Sequence, residues 1–356
     1  ARPGRIDFHF VRRIRLSALD GHASARHVSM PEPAYTIRPD LNPEFDAREF
    51  RFLYTSLVTP PSVVDYDMET GLWTTRKVEE VASGYDASRY VTERIFATAP
   101  DGQHVPLSLV YRKDLRPSGP APLVLYGYGS YGYSQDPAFN ANRLSLLDRG
   151  FIYALAHIRG GADLGRAWYE DGKLLKKKNT FTDFIACAEH LITAGYTSRD
   201  RLAIMGGSAG GLLVGAAMTM RPDLFRAVVA RVPFMDVVTT MSDPTIPLTT
   251  FEYDQWGNPD DPRYFNYMLS YSPYDNLRPT DYPDVLITTG LNDPRVAFWE
   301  PAKFTARLRE LKPSDSLVLL HTEFGAGHGG ASGRYGALQE VALIFAFLID
   351  TTGEVP

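Results

Sequence analysis

A doubly wound, mostly parallel α/β sheet preceded by a short antiparallel β meander is the architecture this sequence predicts. Three observations carry that expectation. Up to about residue 85 the chain reads as short strands and turns, with no apolar 3.6-residue period of useful length. After Gly84 strand-like and helix-like segments alternate, as βαβ units do. Several later strands are continuous apolar stretches, such as Leu123-Val124-Leu125 and Ile287-Thr288-Thr289, which suits a sheet covered on both faces.

The front of the chain offers strands at 8–16, 50–58, 62–68 and 72–78, the last two joined by the turn Glu69-Thr70-Gly71. Strand groups about 40 residues apart suit the blades of a propeller. Residues 1–85 supply two blades, whereas a closed propeller takes about four to eight, so the meander reads as a partial propeller. The second unit, residues 86–356, offers strands at 92–98, 107–112, 123–128, 151–157, 202–205, 227–232, 285–289 and 317–321. Its helices are expected at 181–194, 209–219, 301–311 and 334–349. The turn Pro100-Asp101-Gly102 makes the first two of these strands an antiparallel start to the sheet.

Composition narrows the function classes. A chain of 356 residues, 44% hydrophobic and 22% charged, builds a substantial core without staples. One cysteine, Cys187, excludes an intramolecular disulfide and a cysteine-based zinc site, and its apolar helical setting predicts a buried thiol. No metal constellation or phosphate loop is visible, so no cofactor is expected. The 37 basic and 42 acidic residues leave a net charge of −5, and no field for nucleic acid. No apolar stretch of the ~18 residues a membrane span needs stands out. The opening Ala1-Arg2-Pro3-Gly4 has neither an initiating Met nor a signal-peptide core, so a cytoplasmic chain that is a fragment, a nicked product or a short form is expected.

The chemistry is concentrated at Gly206-Gly207-Ser208-Ala209-Gly210, between an apolar strand and a helix. G-x-S-x-G alone is a weak signal, and its bland reading is a glycine-rich βα turn with a surface serine. In this context it is a nucleophile elbow of the α/β-hydrolase fold, with the serine lifted above the sheet edge. Bulkier residues at Gly206 and Gly210 would collide with the strand and helix. That fold orders its triad as Ser, then Asp or Glu, then His. Only His321 and His328 follow Ser208. His321 ends a strand, and its simpler role is packing. His328 lies in the loop Gly325-Ala326-Gly327-His328-Gly329-Gly330 and is the expected base. Asp293, in Gly290-Leu291-Asn292-Asp293-Pro294-Arg295, falls just past a strand's carboxyl end and is the expected acid, whereas Asp281 and Asp284 precede that strand.

With those residues in view, the sequence resembles the prolyl oligopeptidase family of serine peptidases, and within it the oligopeptidase B branch. Leu125-Tyr126-Gly127-Tyr128-Gly129-Ser130-Tyr131-Gly132, His157-Ile158-Arg159-Gly160-Gly161 and Glu252-Tyr253-Asp254-Gln255-Trp256-Gly257-Asn258-Pro259 carry the likeness, together with Asn292-Asp293-Pro294-Arg295-Val296. It is strong over 85–349, weaker over 33–78 and thin before that. The resemblance implies an α/β-hydrolase domain capped by a propeller and an oxyanion hole made by the Tyr128 hydroxyl and the Ala209 amide. It implies that Arg295 holds a substrate carbonyl, that Glu252 and Asp254 receive an Arg or Lys side chain, and that Asp136 belongs to a second acidic subsite. Ala138 stands where that subsite often has another carboxylate, which weakens a dibasic preference. The length is about half that of a full member, so filtering of substrates by a propeller does not follow.

Three readings result: a serine peptidase cutting short peptides after Arg or Lys, a carboxylesterase with the same triad acting on short acyl esters, and a non-enzymatic interaction module. The complete set of Ser208, Asp293 and His328 argues against the third. Exposed meander edges predict pairing with a second copy or with a missing N-terminal portion. Lys176-Lys177-Lys178 reads as a solvated stretch entering a helix, and Phe251, Tyr253 and Trp256 as a subsite lining or simple packing.

Overall fold

Alternate residues of the central strands enter two different apolar layers, and this alternation organises the computed structural model, which describes residues 5–9, 13–17 and 26–353. Residues 5–9, 13–17, 26–27 and 334 are described by their backbone only. The chain opens with a three-stranded antiparallel sheet of β1 (Arg5–His9), β2 (Arg13–Ser17) and β3 (Arg26–His27). The single strand expected at 8–16 is thus two strands paired with each other. A four-stranded meander follows: β4 (Tyr35–Pro39), β5 (Glu49–Ser56), β6 (Ser62–Asp67) and β7 (Trp73–Val78). β4 is an addition to the expected set, its short YTIRP segment ending in a proline that tolerates an edge position.

The meander has its own core. Phe52, Tyr54, Val64 and Tyr66 are buried, and Trp73 meets Phe52 and Tyr54 edge-on at centroid distances of 5.1 and 5.3 Å. Asp65 is gripped by Arg51 (2.6 Å) and Arg76 (2.7 Å) across three strands, and the Arg51 hydrogen bond leads in pulling its pKa down to about 2. Past the end of β5, Leu57 and Val58 leave this core and are buried in that of the main sheet.

The main sheet contains β8 (Tyr90–Thr98), β9 (His104–Arg112), β10 (Leu123–Tyr126), β11 (Ile152–Ala156), β12 (Leu202–Gly207), β13 (Ala227–Arg231), β14 (Asp284–Gly290) and β15 (Val318–Glu323). Their order is β15-β14-β13-β12-β10-β11-β9-β8, antiparallel at β8, β9 and β11 and parallel elsewhere. The helices are α1 (Leu144–Leu147), α2 (Arg166–Glu170), α3 (Lys178–Thr193), α4 (Ala209–Met220), α5 (Val237–Ser242), α6 (Thr249–Trp256), α7 (Pro262–Leu269), α8 (Trp299–Leu311) and α9 (Arg334–Thr352). Leu123, Leu125, Ile204 and Ile287 face α3, α4 and α8, while Val124, Ala203, Val229 and Leu286 face α1 and α9. Helices on both faces explain why β11 and β14 are buried at every position. With the preceding meander, this is the expected α/β-hydrolase architecture.

The structure departs from the sequence expectation in two more places. α5, α6 and α7 fill a stretch where no element was expected; α6, TTFEYDQW, exposes Phe251 and buries Trp256, so it carries no apolar stripe to announce a helix. And α9 is long and apolar enough to cross a membrane, with a mean hydropathy of 1.2 over Tyr335–Thr352, although no such segment was expected. In the fold it packs on β12, β13 and β14, burying Ile344, Phe347 and Leu348.

Loops meet backbone to backbone at the carboxyl edge of this sheet. Gly160 has φ +93°, and a Cβ there would lie 2.0 Å from the Gly129 carbonyl oxygen. Gly160→Ala is expected to cost about 3 kcal/mol and to lower the thermal midpoint by roughly 5 °C or more, read by thermal denaturation. An unchanged midpoint would show that the two loops are free to part.

Candidate active site

Ser208 sits between β12 and α4 with φ 57° and ψ −120°, a conformation L residues rarely adopt. The turn is braced from every side. The Ser208 amide donates to the Arg231 carbonyl at 2.8 Å, and the Ser208 carbonyl accepts from Gly211, Leu212 and Phe234. A Cβ on Gly206 would lie 2.1 Å from the Gly210 carbonyl oxygen, and one on Gly210 would lie 2.9 Å from that of Gly127. The collisions anticipated at those two glycines are thus real. Ala209 is the first residue of α4, so its amide is among the helix's N-terminal donors.

Asp293 lies in the loop after β14 with its side chain fully buried. Its Oδ2 is 2.7 Å from His328 Nδ1, and its Oδ1 accepts from the amides of Arg295 (2.8 Å) and Val296 (3.0 Å). Burial pushes the carboxyl up, but the bonds from His328, Val296 and Arg295 together outweigh it and hold the pKa below the ordinary value. The acid and histidine loops touch through backbone: the Asn292 amide donates to the Ala326 carbonyl at 3.0 Å, and a Cβ on Gly290 would lie 2.6 Å from the Gly327 oxygen. His321 instead lines a smaller cavity with Glu340. Asp284 is bound by Arg226 and the Leu317 amide at the opposite end of its strand.

A cavity of about 360 Å³ opens over Ser208. Tyr128, Tyr131, Ala209, Glu252, Trp256 and Arg295 are among its walls. Three residues with left-handed backbone, Tyr131, Ser208 and Leu248, line it, so strain concentrates where the chemistry would occur. Burial pushes the Tyr128 phenol up to about 12, so it stays protonated and able to donate. Glu252 Oε2 accepts from the Tyr131 hydroxyl (2.9 Å) and the Trp256 indole N–H (2.8 Å). A carboxylate is thus fixed in the cavity with acceptor capacity to spare.

Two expected subsite residues lie elsewhere. Asp254 is exposed on α6 and absent from the cavity wall. Two residues apart on a helix means a turn of about 200°, so the acidic pair points to different faces. Asp136 also lies outside the wall, 2.9 Å from Arg38 of β4. Of the three aromatics, Trp256 lines the cavity, Tyr253 packs against the core and Phe251 is exposed.

Other contributors went unread. Glu300, buried on α8, accepts from the amides of Met235 and Asp236 and from the Thr240 hydroxyl, bracing α5, whose Thr240 and Met241 form part of the wall. The lysine stretch is not wholly solvated: Lys177 is 2% exposed. No hydrogen bond joins Ser208 to His328 among the described residues, whereas another grouping of the same three residue types is bonded throughout. His157 lies 2.8 Å from Ser108 Oγ and 2.7 Å from Asp163 Oδ1, with Ser108 and His157 fully buried. Arg94 donates to Ser108 and the Gln135 amide to Asp163, so this set ties loops together away from any substrate.

Residues 137–355 match the model of the prolyl oligopeptidase family. The chain is 51% identical over 341 residues to dipeptidyl aminopeptidase BI of Pseudoxanthomonas mexicana, covering 96% of this chain and 47% of that protein. Among solved structures it is similar to oligopeptidase B from Leishmania major (49% identity, TM-score 0.87, 96% of this chain and 48% of that one). It is also similar to oligopeptidase B from Trypanosoma brucei with covalently bound antipain in a closed form (46% identity, TM-score 0.89, 99% of this chain and 52% of that one). The chain spans about half the length of the relatives it matches.

Asp293 has a depressed pKa in the folded state, so its stabilising effect is present above its unfolded value near 4 and is lost as the pH falls through the folded value. Asp293→Asn is expected to flatten that part of the acid-unfolding curve, followed by urea midpoints between about pH 3 and 5. A curve parallel to wild type would show that the carboxylate is not held by these bonds.

Proposed function

The chain belongs to the prolyl oligopeptidase family, and from that premise we propose that it is the catalytic part of a serine peptidase that cleaves short peptides after Arg or Lys. The observation that carries this reading is the Glu252 carboxylate, anchored by Tyr131 and Trp256 in the cavity that also exposes Ser208 and Tyr128. A guanidinium or ammonium entering there meets a fixed counter-charge with partly excluded water. Asp254 and Asp136 are not given a part in this cavity, because neither lines it.

Ser208 Oγ attacks the scissile carbonyl. His328, whose Nδ1 is engaged by Asp293, takes the serine proton at Nε2 and passes it to the leaving amine. Asp293 fixes the imidazole tautomer and stabilises the imidazolium. The Tyr128 hydroxyl and the Ala209 amide receive the oxyanion, and Arg295 steadies a neighbouring substrate carbonyl. Water, deprotonated by the same histidine, then releases the acyl group from Ser208.

The test is parallel hydrolysis of an arginine amide peptide, its norleucine counterpart and a short p-nitrophenyl ester. The arginine peptide is expected to be preferred, and Ser208→Ala to lower kcat by about 10⁵-fold or more. Glu252→Gln is expected to reduce the arginine preference by roughly 100-fold while sparing the ester. Full activity in Ser208→Ala would refute the mechanism. Ester cleavage without amide cleavage would point to an esterase instead.

A further inference from the structure

Lys177 is a buried amine facing no carboxylate among the described residues. Its Nζ donates to the Gly129 carbonyl at 2.6 Å and to Ser130 Oγ at 2.9 Å, and stands 5.1 Å over the Trp256 ring. Both partners belong to the site. Gly129 and Ser130 are the two residues between Tyr128 and Tyr131, and Trp256 donates its indole N–H to Glu252. Tyr131 packs edge-on against the same indole at 5.9 Å and reaches the same carboxylate.

We propose that Lys177 is a positioning residue that clamps the loop bearing Tyr128 to the indole supporting Glu252, and so couples the oxyanion donor to the cation-binding carboxylate. This deepens the function proposed above and rests on it. The clamp spans three segments distant in sequence: the loop after β10, the entry to α3 and the end of α6. A buried amine suits the task. It donates to a carbonyl and a hydroxyl together, and its cationic form is drawn to the indole face. Only 2% exposed, it is withdrawn from water, and that burial lowers its pKa to about 7. Thr180 holds the loop from the other side, donating to the Arg159 carbonyl at 2.8 Å and contacting the Gly129 carbonyl at 3.4 Å.

The test compares Lys177→Met, which keeps length but removes the donor, with Lys177→Gln, which restores a donor on a shorter stem. Two readouts separate the arms of the clamp. One is the ratio of kcat/KM for the arginine and norleucine peptides. The other is the rate at which an organophosphonate without a basic side chain labels Ser208, which depends on the nucleophile and the oxyanion geometry but not on the cation subsite. Lys177→Met is expected to lower the peptide ratio and the labelling rate each by about 10-fold or more, and Lys177→Gln to recover part of both. Ser130→Ala, which removes one acceptor, is expected to shift both in the same direction by a smaller factor, and it serves if Lys177→Met does not fold. A folded Lys177→Met, or failing that a Ser130→Ala, with an unchanged labelling rate and peptide ratio would overturn the proposal. A wild type without arginine preference would refute the cation subsite, while the labelling rates still decide whether Lys177 sets Tyr128.

Discussion

Everything at this site depends on backbone meeting backbone at the carboxyl edge of one sheet. Ser208 can be lifted above β12 because Gly206 and Gly210 let strand and helix close behind it. Asp293 reaches His328 because the loops after β14 and β15 share a hydrogen bond and a glycine contact. The loop after β10 is pressed on Gly160 and stays there. Side chains are then added to a frame already fixed to within the size of a methyl group. A nucleophile, its base and an oxyanion donor drawn from separate loops need such a frame, since small misplacements cost large factors in rate.

The sequence disclosed what is local and periodic. Apolar stretches marked the parallel strands, and a serine between glycines marked the elbow. An aspartate past one strand and a histidine past the next completed the order. What stayed illegible is what depends on distant partners. Lys177 looks like its neighbours in a basic stretch until Gly129, Ser130 and Trp256 surround it. α6 has no apolar stripe because its burial falls on Trp256 and Thr249, and without a helix there Glu252 and Asp254 seemed to act as a pair. Helical geometry, not composition, separates them.

The buried Ser108, His157 and Asp163 show what distance alone is worth. Their spacing is as good as that of His328 and Asp293. They differ in surroundings: the serine is fully buried, and Arg94 donates to its oxygen. Ser208, by contrast, has a strained backbone and lines an open cavity, with Tyr128 and the first amide of α4 beside it. A triad is therefore identified by what can approach it, and its three residue types are also a compact way to pin a loop.

Glu252 owes its place to two aromatic side chains whose bulk also shapes the cavity wall. Reversing the charge at that position would leave a phenol and an indole N–H pointing at a group that cannot accept from them. A side chain there without an acceptor would therefore favour accompanying changes at Tyr131 and Trp256. A carboxylate built in this way is constrained by the two donors that hold it as much as by anything the cavity binds.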